Sequence, residues 1–112
     1  MSRRPDYLYI EDIKERCRDI LQATENLTFA EFENNYILAT AVCRWFEIIG
    51  EASSQMSKES RDRNKQIPWR EIIGMRNFLI HAYHNLDLMM VWDAIKNDLP
   101  VLLEEMDKFV TI

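Results

Sequence analysis

Glycine, proline and cysteine are scarce in this chain of 112 residues, which has two, three and two of them respectively. Strands need turns, and turns draw on Gly, Pro and Asn-Gly pairs, so the scarcity argues for long helices with few connections. Cys17 and Cys43 lack any Cys-x-x-Cys or Cys/His spacing. They read as buried free thiols rather than a disulfide or metal site, which suits a reducing compartment. No window approaches the roughly 20 apolar residues of a membrane span. Met1-Ser2-Arg3-Arg4-Pro5 leads into no apolar signal core. The expected location is therefore the cytoplasm, with no membrane partner. No acidic or histidine cluster has ligand spacing, so neither a metal nor a cofactor is expected. Glu47 and Glu51 are four apart, but Arg44 lies three before Glu47, and a solvated ion-pair face is the better reading.

An excess of positive charge is also missing. The net charge is −5, which argues against a general nucleic-acid coat protein, because non-specific affinity comes from neutralising phosphates. The charge is unevenly spread. Residues 58–76 hold Lys58, Arg61, Arg63, Lys65, Arg70 and Arg76 against Glu59, Asp62 and Glu71, a local +3 that leaves −8 for the remainder. This zone reads either as a solvated connector or as an RNA-contact patch.

What is present fits one globular domain, residues 1–112, with 47% hydrophobic and 29% charged residues. Tyr9, Ile13, Cys17, Ile20 and Leu21 recur at helical spacing and predict a first helix over 6–23. Thr28 and Glu31 form a capping box inside a Leu27–Phe32 staple, so a short helix starts near Phe29 and stops at Asn34-Asn35. A long helix over 36–57 follows, with Ile37, Ala41, Trp45, Ile48, Ile49, Ala52 and Met56 as its apolar stripe. Residues 58–66 read as a polar connector. Pro68 suits the first position of a third helix. Asp87 caps the last, over 88–109, which Pro100 should kink or divide. Gly50 and Gly74 are expected to let helices approach closely. The fold expected is all-α: an antiparallel up-and-down bundle of four main helices plus one short helix.

One segment, Met75 to His84, gathers both histidines with Arg76, Asn77 and Tyr83. Histidine titrates near neutral pH and exchanges protons with a ribose 2′-OH or a leaving oxygen. Arginine offers a rigid donor fork that matches phosphate oxygens. The set suits metal-free RNA cleavage, with Arg76 and His81 catalytic; the alternative on residue types alone is a satisfied core histidine at a helix end, a peripheral His84 and a packing Tyr83. Asn77 could fix the imidazole, and Tyr83 could hold a phosphate or stack on a base. Arg70 and His84 are further candidate RNA contacts. On a regular helix about 140° separates Arg76 from His81. One chain aims both at the same atom only if the helix ends or bends there, or if a second copy meets it.

The chain resembles the HEPN superfamily, in its HepT-like branch. The likeness rests on Glu47-Ile48-Ile49-Gly50-Glu51-Ala52, on Ile67 through Asn77, and on His81-Ala82-Tyr83. It continues through Asp87-Leu88, Val91-Trp92 and Asn97-Asp98-Leu99-Pro100. The R-x4-H-x-Y motif stands complete as Arg76, His81 and Tyr83; Ala82 replaces a glycine common in the family. The resemblance implies a HEPN-like helical homodimer in which two motifs line one cleft. It implies a metal-independent endoribonuclease acting as the toxin of a toxin–antitoxin pair. Its partner would be a minimal nucleotidyltransferase antitoxin that transfers AMP to Tyr83. The alternative expectation is a non-catalytic helical module that binds such a partner or a nucleotide.

Overall fold

In the computed structural model the described residues are 4–81 and 87–109, side chains excepted at Ile80 and His81. The helices are α1 (Asp6–Thr24), α2 (Phe29–Glu33), α3 (Tyr36–Ser54), α4 (Lys58–Arg63), α5 (Trp69–His81), α6 (Leu88–Asp93) and α7 (Leu99–Asp107). A π-helical turn, Ala94–Asp98, joins α6 to α7 in one rod. No strand occurs among the described residues. The all-α class is as the sequence reads, with α1, α3, α5 and the C-terminal rod as the four main elements.

Helix α3 is the central element, packed by α1 on one flank and α5 on another, while α7 returns onto α1. The core is one cluster that includes Ile13, Cys17 and Ile20 of α1, Val42 and Ile49 of α3, and Leu99 and Met106 of the rod. The inward stripe of α3 agrees with the sequence expectation at Ile49 and Ala52, and Met56 just past the helix is buried as expected, but the first half of the helix turns a different face inward. The stripe runs through Ala39, Val42, Phe46, Ile49 and Ser53, whereas Ile37 is 82% exposed. That helix is apolar on several sides, and the packing of α1 and α5 against it selects the face.

Helix ends obey local chemistry. Thr28 and Glu31 complete the expected capping box of α2. Asn35 caps α3 by accepting from Leu38 N–H, and Asp87 caps α6 by accepting from Met89 and Met90 N–H. Pro68 stands one position outside α5, its carbonyl accepting from Ile72 N–H at 3.1 Å. The last helix is divided just before Pro100, where the Leu99 N–H donates to the Ala94 carbonyl five residues back. Phe29 and Phe32 of α2 meet the Trp92 ring at 6.1 and 5.3 Å, which pins α2 on α6.

The polar stretch after α3 is not a plain connector. It holds α4, a second short helix beside α2. Ser57 caps it by accepting from Ser60 N–H, and the Asp6 carboxylate accepts from both the Ser57 and Ser60 hydroxyls. Asn64 is fully buried, donates to the Ser60 carbonyl at 2.8 Å, and its own carbonyl accepts the Trp69 indole N–H. These bonds fix α4 to the start of α1 and set the angle at which α5 leaves.

Candidate active site

Arg76 sits where α5 comes nearest to α3. A Cβ added at Gly50 would overlap the Cβ of Arg76 and lie 3.1 Å from the Ile72 carbonyl oxygen. Gly50 therefore has the close-approach role the sequence suggests. Gly74 does not: an added Cβ would meet nothing within 4 Å. Neither glycine needs a left-handed backbone, since no residue has positive φ among those described.

The Arg76 guanidinium is held from two sides. Its Nη2 lies 2.9 Å from a Glu51 carboxylate oxygen, and its Nη1 donates to Asn77 Oδ1 at 3.1 Å. The Nε hydrogen is buried and has no partner among the described residues. The side chain is 28% exposed, with its Nε covered. Such a fork is prepared to meet a phosphate oxygen pair. Glu51 is the residue that sequence reasoning missed. Arg44 does pair with Glu47, at 3.1 Å, but Glu51 turns to α5 instead. Its position beside Gly50, the contact glycine, was the available signal.

Asn77 makes its one bond among the described side chains to Arg76. His81 is on the same helix as Arg76, five positions on, so the two backbone positions stand about 140° apart around the axis. Tyr83 and His84 lie outside the described residues.

Arg70 and Asn77 share a different feature, a shallow groove of about 850 Å³ between α4 and the outer side of α5. Lys58, Arg61, Lys65, Trp69 and Gly74 also line it. The Lys58 ammonium bonded to Asp62 holds that carboxyl below the usual carboxylate range, with Lys65 and Arg61 adding to the effect. Lys58, Arg61, Lys65 and Arg70 against the carboxylates of Asp62 and Glu71 leave the groove net positive. Among the described residues no group of three or more His, Cys, Asp or Glu could hold a metal ion. No helix among the described residues is long and apolar enough to cross a membrane.

The geometry so far defines a helical bundle with one anchored arginine at its tightest helix contact. Comparison with known proteins gives the class: residues 13–109 match the family described as Ribonuclease HepT-like. A Methanocaldococcus jannaschii protein named as an RNase is 36% identical over 107 residues, covering 96% of this chain and 98% of its own. A Thermococcus cleftensis protein named as a ribonuclease HepT is 38% identical over 100 residues, 89% of this chain and 91% of its own. A Caldanaerobacter subterraneus protein, also named as an RNase, is 32% identical over 102 residues, 91% of each chain. No solved structure matches. The chain belongs to the Ribonuclease HepT-like family, and the HepT-like resemblance read from its motifs is borne out.

Proposed function

We propose that this chain is a metal-independent endoribonuclease in which Arg76 and His81 carry the chemistry. The observation behind the proposal is the anchored Arg76 fork, one helix turn and a residue before His81, in a chain of a ribonuclease family. In the reaction the ribose 2′-oxygen attacks the adjacent phosphorus and the bond to the 5′-oxygen breaks. His81 takes the 2′-OH proton, and the departing 5′-oxygen gains one. The products are a 2′,3′-cyclic phosphate and a 5′-hydroxyl. Arg76 stabilises the charge that grows on the phosphoryl oxygens. Asn77 keeps the guanidinium turned outward.

The working unit in this proposal is a homodimer with both motifs in one cleft, which resolves the 140° separation within one helix. Phe78, an apolar side chain 40% exposed two residues beyond Arg76, supports such a contact. The biological role is that of a cytoplasmic toxin whose nucleotidyltransferase antitoxin adds AMP to Tyr83. The adduct brings negative charge and bulk to the place where RNA phosphate must sit.

The test is cleavage of end-labelled RNA by the purified protein, beside Arg76→Ala, His81→Ala and a substrate with 2′-deoxyribose at the cut site. The expected result is cyclic-phosphate ends from wild type alone. Equal cutting by both variants, or of the deoxy substrate, overturns the assignment.

A further inference from the structure

The pairing of charges in this molecule is lopsided. Every described Lys and Arg outside residues 61–70 is engaged. Arg4, Lys14, Arg16, Arg18, Arg44, Lys58, Arg76 and Lys108 each meet a carboxylate, and Lys96 lies 4.5 Å over the Trp92 ring. Arg61, Arg63, Lys65 and Arg70 form no ion pair among the described residues, although the chain is acidic overall. Three of these four line the groove between α4 and α5.

A second, independent observation concerns the same wall. Gly74 sits inside α5, where glycine is a poor helix former. It has no close neighbour and no unusual backbone angle to account for it. It lines the groove between Trp69 and Asn77, so its missing side chain leaves that wall low. Beyond Asn77 the path arrives at Arg76, which Asn77 touches. The other groove beside α5 has the opposite character. It holds about 610 Å³, is lined by Phe46 and Ile49 among others, and carries Asp93, Asp98 and Glu105 with no Lys or Arg, while Glu71 borders both grooves. A phosphate chain is repelled there.

We infer that the α4–α5 groove is the track for a single-stranded RNA segment leading to Arg76, with Gly74 kept bare so that the strand lies against the helix. Unpaired cations beside an aromatic ring are the combination that holds a single strand by phosphate contacts and stacking. The inference rests on the ribonuclease reading for its ligand class, but binding is measured apart from cutting.

The experiment measures affinity of a fluorescent single-stranded RNA by anisotropy across a salt series. It uses full-length chain carrying His81→Ala, so that binding is read without turnover. Into it are placed Lys65→Gln with Arg70→Gln, and separately Gly74→Leu. The double variant is expected to reduce the slope of log affinity against log salt by about 1.4, at ~0.7 per phosphate contact on a single strand. Gly74→Leu should weaken binding at least tenfold while its melting temperature stays at or above that of the parent. Unchanged slope and affinity in both variants overturn the track, even if the wild-type chain cuts RNA. A change in oligomeric state with unchanged RNA binding overturns it too, and makes the groove a protein contact. Binding that follows the expected pattern in a chain that never cuts RNA sustains the track and removes only the catalytic reading.

Discussion

The Arg76 guanidinium and the Glu51 carboxylate, from neighbouring helices, stand 2.9 Å apart with 28% and 56% of their side chains exposed. A pair this open to water is screened and contributes at most about 1 kcal/mol to stability. Its effect on direction is larger, because the guanidinium plane is fixed by Glu51 and Asn77 together. Glu51→Gln is expected to leave the unfolding free energy within about 1 kcal/mol. It should lower single-turnover RNA cleavage by about tenfold, the cost of ~1.4 kcal/mol of lost orientation. Parallel denaturant titration and cleavage assays separate the two effects.

The two glycines should respond in opposite ways to the same substitution. Gly50→Ala puts a methyl into Arg76 and against the Ile72 carbonyl, so α3 and α5 must part. A destabilisation of about 1–3 kcal/mol is expected, with loss of cleavage. Gly74→Ala meets open space in a helix and should stabilise by about 0.5–1 kcal/mol. Thermal melts of both variants check the sign.

Asp6 links the first turn of α1 to the cap of α4 by accepting from the Ser57 and Ser60 hydroxyls. Asp6→Ala leaves those donors without their acceptor, at a cost of about 1–3 kcal/mol. Limited proteolysis should then find new cuts within 57–66. Asp6→Asn, which keeps one acceptor oxygen, should recover part of the protection.

The thiols make the fold sensitive to alkali. Burial raises Cys17 to about 12, against a smaller opposing pull from Arg18. Burial, helped by Glu47, raises Cys43 to about 11. Both are neutral in the native chain at pH values where the unfolded chain, near 9, has begun to ionise. The native state then holds more protons, so stability is full below about pH 9 and falls as pH rises towards 11–12. Denaturation midpoints measured from pH 8 to 11 should fall progressively. At pH 8 native protein should resist iodoacetamide, while urea-unfolded protein reacts at both sites.

Features with local causes were legible in the sequence. The Thr28–Glu31 box, the Asp87 cap and the break ahead of Pro100 depend on residues within one or two turns of each other. The inward face of the first half of α3 was not, because that helix is apolar nearly all round, whereas Ile49 and Ala52 further on are buried as read. Ile37 and Trp45 compete on spacing with Ala39, Val42 and Phe46, and only the neighbours decide. Helix α4 escaped notice because its anchor, Asp6, is 51 residues from Ser57. The site divides the same way. Arg76 and Asn77 stand out in the chain by type, whereas Glu51 gains its meaning only when Gly50 brings two helices together.

The π turn at Ala94–Asp98 bears on how the C-terminal rod keeps its alignment. Val91, Ile95 and Leu99 are all buried, at a uniform step of four. On an unbroken α-helix each such step overshoots a full revolution by about 40°, and two would set Leu99 about 80° round from Val91, towards the margin of the inward stripe. The wide turn absorbs the overshoot, in effect lodging one surplus residue without turning either flank. Length here is therefore cheap: a relative one residue shorter over 94–98 can revert to plain α-helix and still present the same inner edge, whereas a deletion in α3 would swing everything after it by about 100°.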